Sequence, residues 1–96
     1  MSECTGRIVR AMAGRDKGGL FCVVGVDQEG ERLLLADGRR RKLARPKAKS
    51  QSHVAALTEQ APGFNHPAIQ KLKQGEALSD KELRRALAAF RDQLEV

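Results

Sequence analysis

The first 43 residues contain short apolar runs separated by tight, glycine-containing turns, and this pattern most limits what the chain can fold into. Leu20–Val26 is continuously apolar and rich in valine, as strands buried on both faces are. Because Asp-Gly is a strong hairpin signal, Asp37-Gly38 predicts a turn between two further strands. We therefore expect strands at Gly6–Met12, Leu20–Val26, Arg32–Ala36 and Arg39–Leu43.

Smaller signals refine this prediction. Gly25 indicates a bulge or bend in the second strand, and Gly30 is the expected left-handed position of the turn at residues 27–31. Arg45-Pro46-Lys47 is expected to leave the sheet in an extended form. His53–Leu57 fits either a closing strand or a short helix, and we favour the strand. Several short strands with tight turns in so few residues favour a small barrel over a sandwich.

The second half of the chain predicts helices. Asn65-His66-Pro67 places proline at a helix start, and Gly75 ends that helix. Ser79 and Glu82 form a capping box, followed by apolar residues at helical spacing up to Leu94. The sequence thus predicts an α+β, mainly β protein. A barrel spans residues 1–60 and a helical extension spans 61–96, with a short helix at about 67–74 and an amphipathic helix at about 80–94. We expect the helices to pack on the barrel, and the alternative is a helix offered to a protein partner.

The chain has a formal charge of +6, and the excess lies entirely in its first half. Residues 1–53 contain twelve Lys or Arg and six Asp or Glu, whereas residues 54–96 contain six of each. Seven of the eleven residues in the run 39–49 are cationic and none is acidic. Because such a run repels itself unless an anion is near, it favours a polyanionic partner, with nucleic acid ahead of an anionic membrane surface. The alternative is a solvated face or a disordered basic arm.

A second candidate site is the loop Ala13–Gly19 between the first two strands. Gly14, Gly18 and Gly19 permit left-handed backbone and a close approach of backbone amides to a ligand, which suits phosphate. Arg15 and Lys17 add positive charge to the loop. It is not a nucleotide P-loop, because no Lys-Ser or Lys-Thr stands at the needed spacing and no helix is expected after it.

The aromatic content narrows the kind of nucleic acid. The chain has no Trp or Tyr and only three Phe, so it lacks the stacking platforms of typical single-strand binders. No recognition helix is predicted in the basic half, which argues against reading of duplex DNA in the major groove. Recognition of phosphates and shape remains, as for structured RNA. Duplex DNA binding is kept as a third possibility.

Catalytic and metal chemistry has little support in the sequence. His53 and His66 are isolated histidines, and together with Cys4 and Cys22 they lack the paired spacing of a zinc site. We expect no enzymatic activity, no cofactor and no metal. No apolar run is long enough to cross a bilayer, and the N-terminus lacks the signal-peptide pattern. A cytoplasmic protein with reduced cysteines is therefore expected.

These residues together resemble the KOW motif of large-subunit ribosomal proteins and transcription elongation factors. The resemblance covers slightly more than half of the chain. It is greatest to the small bacterial KOW-domain RNA-binding proteins that are related to archaeal and eukaryotic large-subunit ribosomal proteins. The segments that carry it are Gly6-Arg7-Ile8-Val9, the loop Ala13–Gly18, Leu20–Val26, Asp37-Gly38, Arg41-Lys42-Leu43 and the stretch from Pro46-Lys47-Ala48-Lys49 to His53.

The resemblance implies an SH3-like barrel that contacts RNA through the motif loop and the adjacent basic strands. Gly18 corresponds to the glycine of the motif, and Gly14 and Gly19 belong to the same turn. The implied function is a non-enzymatic, ribosome-associated RNA-binding protein, with ribosomal RNA and ribosomal proteins as partners. The alternative is an adaptor of the same fold that docks an acidic protein. The cations implicated in RNA binding are Arg15, Lys17, Arg39, Arg40, Arg41, Lys42, Arg45, Lys47 and Lys49.

Overall fold

The computed structural model describes residues 4–61 and 63–94. An antiparallel sheet of five strands and two α-helices make up the fold, so the expected α+β class is confirmed. Single 3-10 turns lie at Gln51–His53 and Thr58–Gln60. The strands are β1 (Ile8–Ala11), β2 (Leu20–Val26), β3 (Arg32–Ala36), β4 (Lys47–Ser50) and β5 (Val54–Ala56), and the helices are α1 (Pro67–Lys73) and α2 (Asp80–Leu94).

The strand order across the sheet is β4-β3-β2-β1-β5. β1 to β4 form a meander in which each strand pairs with the next one. β5 follows β4 after a single 3-10 turn, yet it pairs with β1 on the far side of the sheet. It lies within His53–Leu57, so the expectation of a strand there is confirmed. The register of β2 against β3 shifts between Val23 and Gly25, which is the bulge that Gly25 predicts.

One predicted strand is wrong. Residues 39–43 form a loop, and β3 pairs instead with Lys47–Ser50, where Lys47 lies opposite Leu35 and Ser50 opposite Arg32. Lys47 was expected to leave the sheet, but it begins β4. The cause is competition for backbone hydrogen bonds in the loop. Its amides donate to carboxylates, and amides held by side chains cannot pair with a neighbouring strand.

The carboxylates of two aspartates hold the amides of this loop. Asp37 Oδ1 accepts from the amides of Arg39 and Arg41, at 2.9 Å each. Asp80 Oδ1 accepts from the amide of Leu43 at 2.8 Å. The amides of Asp37 and Gly38 donate to the carbonyl of Arg41. The Asp-Gly pair therefore does turn the chain, as predicted, but into a closed loop and not into a two-residue hairpin.

The sheet is buried on both faces, as the apolar sequence of β2 predicts. Leu20 and Cys22 belong to one apolar cluster, and Phe21 and Val23 belong to a second one. The first cluster also contains the buried residues of α1 and α2, so the helices pack on that face of the sheet. The expectation that the helices complete the core is therefore confirmed. The α2 members of the cluster are Leu83, Ala86, Leu87 and Phe90.

The helix ends follow the capping signals in the sequence. His66 Nδ1 accepts a hydrogen bond from the amide of Ala68 at the start of α1. Gly75, with a φ of +76°, ends this helix at its C-terminus. At the start of α2, the Ser79 hydroxyl accepts from the Glu82 amide while the Glu82 carboxylate accepts from the Ser79 amide. Glu82 also pairs with Lys71 of α1 at 2.7 Å, and the hydrogen bond from Lys71 lowers the pKa of Glu82. Within the described residues, neither helix has the length and apolarity needed to cross a membrane.

Candidate nucleic-acid interface

The loop at residues 12–19, which we call the motif loop, joins β1 to β2 and is shaped by its glycines. Gly14 and Gly18 have φ values of +80° and +87°, a region that side chains other than hydrogen disfavour. Gly19 is needed for a different reason, because a Cβ there would lie 2.8 Å from the ring of Phe21 and 3.0 Å from the carbonyl of Asp16. All three glycines of the predicted turn are therefore required by its geometry.

Several amides of the motif loop donate to carbonyls of the loop itself or of the end of β1. The amide of Lys17 donates to the carbonyl of Gly14, that of Gly18 to Ala11, and that of Gly19 to Asp16, at 3.2, 2.7 and 2.9 Å. These amides are thus not presented to a phosphate in this conformation. The side chains of Arg15 and Lys17 are exposed, so the positive charge of the loop lies on its surface.

The second part of the site is the loop at residues 37–46, which we call the basic loop. Beyond the contacts of Asp37, it is fixed by α2. Arg84 Nη1 donates to the carbonyl of Gly38 at 2.7 Å, and Asp80 receives the Leu43 amide. Leu43 packs against the apolar cluster beneath the helices. The basic loop is therefore a fixed structure with its backbone anchored at both ends of its arginine run.

Two partly buried polar contacts hold the motif loop in place, one from the basic loop and one from β4. Arg41 Nη2 lies 3.0 Å from Asp16 Oδ2, and the Asp16 side chain is only 7% exposed. Lys49 of β4 is buried and donates from Nζ to the carbonyl of Ala13 at 2.8 Å. Both cations were predicted to bind RNA. In the structure, Arg41 holds the motif loop against the basic loop, and Lys49 holds it against β4.

Two clefts on this side of the molecule share Arg41. The first, which we call the loop cleft, lies between the motif loop and β4. The second, which we call the arginine cleft, lies within the basic loop. The loop cleft is lined by Ala13, Gly14, Arg15, Asp16, Arg41, Lys47, Lys49 and His53, and the arginine cleft by Arg40, Arg41, Lys42, Ala44 and Arg45. Seven of the nine cations implicated by the sequence thus line one of two adjoining clefts.

The other two cations lie elsewhere. Lys17 is exposed and lines neither of these clefts. Arg39 faces a third cleft between the basic loop and α2. The nine cations therefore do not form a single uniform face, and the basic loop presents Arg39 in one direction and Arg40 in another.

The charges of the two clefts are largely uncompensated. Among the described residues, Arg41 is the one member of the nine cations that forms an ion pair with a carboxylate. Exposed cations without a carboxylate partner therefore line both clefts, and like charges this close repel one another. They are Arg15, Arg40, Lys42, Arg45 and Lys47.

The aspartates that build this site were not predicted from the sequence. Asp16, Asp37 and Asp80 supply the contacts that set the shape of the basic surface. Asp37 carried a signal as half of Asp-Gly, although its side-chain role was not predicted. Asp80 is 37 positions along the chain from Leu43, whose amide donates a hydrogen bond to it. No local pattern in the sequence predicts a pairing over that distance. His53, which lines the loop cleft, was noted only as an isolated histidine.

Two features bear on other chemistry. Burial raises the pKa of the Cys22 thiol to about 12, so this buried cysteine is a small core residue and is not a ready nucleophile. Among residues 4–61 and 63–94, no group of three or more His, Cys, Asp or Glu side chains is placed to hold a metal ion. The polar chemistry that these residues offer is mainly that of exposed cations.

Comparison with known proteins gives no family assignment: no protein-family model matches this sequence, and no curated protein matches it significantly.

Proposed function

We propose that this is a non-enzymatic RNA-binding protein of the cytoplasm, associated with the ribosome and related to the KOW-motif proteins that its first half resembles. The observation that carries the proposal is the adjoining pair of clefts, in which the motif loop and the basic loop bring five exposed cations together. A cluster of positive charge of this kind favours a polyanionic partner. RNA is the polyanion that best fits the lack of an exposed Phe, Tyr or Trp ring among the described residues and the absence of a helix from the lining of the two clefts.

The arrangement of the sheet supports an SH3-like barrel. β4 and β5 are the two edge strands, four strand spacings apart in the pairing order. In a flat sheet they would lie roughly 19 Å from each other. The connection from Ser50 to Val54 spans at most about 14 Å even when fully extended, and it is a 3-10 turn here. The sheet must therefore curl, and a curl of this kind brings β5 towards closure with β4.

Phosphates would be held by side chains in the two clefts. Arginine offers a planar fork of donors to phosphate oxygens, and lysine offers a point charge on a flexible stem. Arg15 and Lys47 would contact the backbone in the loop cleft, and Arg40, Lys42 and Arg45 in the arginine cleft. Arg41 and Lys49 act as positioning residues, because their bonds to Asp16 and Ala13 hold the two clefts in register.

The surface chemistry of the two clefts supports RNA over the other nucleic acids. Phe21 and Phe90 are buried in the core, and Phe64 packs edge-on against Phe90 at 5.1 Å. The surface therefore offers few aromatic rings on which successive bases could stack. The two clefts are made of loops and a strand edge, and neither α1 nor α2 lines them, so the described residues place no helix there to enter a major groove. Contacts to phosphates and shape, as in structured RNA, fit this surface best.

Sedimentation of cell lysate through a sucrose gradient at low salt tests the proposal. We expect the tagged protein to sediment with the large ribosomal subunit and to be released by ribonuclease. A variant with Arg40, Lys42 and Arg45 changed to alanine should remain near the top of the gradient. The matched control changes Arg32, Lys81 and Arg85 to alanine, which removes the same charge from exposed positions outside the two clefts.

The results separate the proposal from its rivals. A wild-type protein that stays at the top of the gradient contradicts ribosome association. Equal loss by both triple variants contradicts the assignment of the site to the clefts. Retention of a stoichiometric acidic protein after complete digestion of RNA would support an adaptor in place of an RNA binder. Tighter binding to a DNA duplex than to an RNA hairpin of the same sequence would support DNA as the target.

A further inference from the structure

A third cleft lies between the basic loop and α2, on a side of the basic loop that the two RNA clefts do not use. Three arginines from two separate elements converge in it. Arg39 comes from the basic loop, and Arg84 and Arg91 come from α2. The rest of the lining is Leu20, Asp37, Leu87 and Ala88. None of the residues that α2 contributes was singled out as a binding residue by the sequence.

The spacing on α2 explains why these arginines share one face. Positions 84, 88 and 91 are separated by four and three residues, so they project from the same side of a helix. Ala88 between the two arginines leaves the cleft open. Arg85 is as exposed as its neighbour but points about 100° away around the helix, and it does not line the cleft.

The charge balance of the cleft is positive. Its one carboxylate, Asp37, already accepts the amides of Arg39 and Arg41. Arg84 uses one N–H for the carbonyl of Gly38, which leaves most of its five donors available. Among the described residues, no carboxylate forms an ion pair with any of the three arginines. Buried Leu20 and Leu87 form an apolar floor, and a less polar surface strengthens attraction to an anion.

We propose that this cleft, which we call the helix groove, binds phosphates of the RNA backbone and makes α2 part of the RNA-binding surface. The inference rests on the proposed function and adds a second contact region to it. An RNA strand held in the arginine cleft by Arg40 would continue across the basic loop to Arg39 and then to Arg91. The helical half of the chain, neutral in net charge, would thus contribute to binding through the placement of its arginines.

Single substitutions on α2 test the helix groove, with binding to a labelled RNA hairpin measured by fluorescence anisotropy over a salt series. Arg91→Ala removes one cation of the groove, and Arg85→Ala removes the same residue type from the same helix outside it. Arg91→Lys keeps the charge. Arg84 is left unchanged because its bond to Gly38 supports the basic loop. The fold of each variant is checked by circular dichroism and by its urea midpoint.

Loss of one phosphate contact flattens the slope of log K against log salt by about 0.7–0.9, which at 0.1 M salt is a roughly fivefold to eightfold loss of affinity. We expect this for Arg91→Ala, a change below about twofold for Arg85→Ala, and near wild-type binding for Arg91→Lys. Equal behaviour of Arg91→Ala and Arg85→Ala overturns the helix groove.

The arginine-cleft variant, with Arg40, Lys42 and Arg45 changed to alanine, is measured in the same assay to keep two failures apart. If this variant loses binding while Arg91→Ala does not, the proposed function stands and the helix groove is contradicted. If the wild-type protein binds no RNA, the proposed function fails and the helix groove fails with it.

Discussion

Asp16 is the residue whose role differs most from what its neighbours suggest. It lies between Arg15 and Lys17 in the motif loop, yet it is buried while they are exposed. Its carboxylate pairs with Arg41, whose side chain is 31% exposed. The Nε atom of Arg41 is buried and has no hydrogen-bond partner among the described residues. The orientation of this guanidinium therefore depends strongly on Asp16.

Asp16→Asn should lower the free energy of unfolding by about 1–3 kcal/mol, since it removes a charged hydrogen bond and leaves a half-buried guanidinium without its counterion. Urea denaturation measures the loss. Glu29→Gln is the matched control, because Glu29 is an exposed acid in the turn between β2 and β3. A cost for Asp16→Asn no greater than that of the control would contradict the positioning role.

Cys22 makes the stability of the protein fall with rising pH in the alkaline range. Its pKa rises from 9.0 to about 12 in the folded protein, because burial disfavours the thiolate. The thiol therefore ionises at a lower pH in the unfolded chain than in the folded protein. Its contribution to the free energy of unfolding is fully present below pH 9 and is lost as the pH rises towards 12. The decline is about 1.4 kcal/mol per pH unit within that window.

Urea denaturation from pH 8 to pH 11 checks this prediction against Cys22→Ala. Every other group titrates in both proteins, so the difference between the two curves isolates the Cys22 thiol. We expect the wild-type curve to fall more steeply above pH 9. Parallel curves over the whole range would show that the thiol ionises equally well in the folded and unfolded chains.

At the scale of elements, the contact between the basic loop and α2 is the joint that places the arginines. Gly38 has a φ of +78° and packs against the first residue of α2. A Cβ at this position would collide with the carbonyl oxygen of Asp80 and lie 3.0 Å from Cγ of Arg84. Gly18 has a similar φ of +87°, but a Cβ there would meet no heavy atom within 4 Å.

The two glycines form a matched pair for mutation to alanine. Gly18→Ala should lower the free energy of unfolding by about 1–2 kcal/mol, the cost of left-handed backbone alone. Gly38→Ala carries that cost plus about 1–3 kcal/mol, because backbone must shift to relieve the overlap. Denaturation curves that show equal losses would contradict the close packing of the basic loop on α2.

The elements that the sequence predicted well are those specified by local signals. The bounds of β2, β3 and α2 match the expected ranges, because a valine-rich run and a capping box act within a few residues of each other. Residues 39–43 were predicted wrongly because Asp-Gly signals a turn without stating how many residues the turn encloses. The decisive bond, from Leu43 to Asp80, joins segments far apart in the chain.

The candidate site shows the same division. Charge density along the chain identified the cations that line the loop cleft and the arginine cleft, since clustering in sequence and clustering in space coincide in a short loop. Charge density could not show that Lys49 points inward, because side chains alternate between the two faces of β4 and the register of the strand decides which of them face the core. Charge density also could not show the helix groove, since Arg39 and Arg91 line one cleft only because α2 packs beside the basic loop.

At the scale of the whole molecule, one compact structure combines a basic sheet half with a neutral helical half. The helices cover one face of the sheet with the cluster that contains Ile8, Cys22 and Phe90. This packing fixes α2, and α2 in turn fixes the basic loop through Asp80 and Arg84. The core and the proposed binding surface are therefore coupled, and a substitution that loosens α2 should weaken RNA binding as well as stability.

The salt dependence of RNA binding by the purified protein tests the central claim most directly. With the five exposed cations of the loop cleft and the arginine cleft each contacting a phosphate, these clefts alone should give log K against log salt a slope of about −3.5 to −4.5, which contacts in the helix groove would steepen. Affinity for a labelled RNA hairpin would then drop at least about a hundredfold from 50 to 200 mM salt, and changes of hairpin sequence would matter little. Absence of binding, or binding that salt does not weaken, would contradict the account.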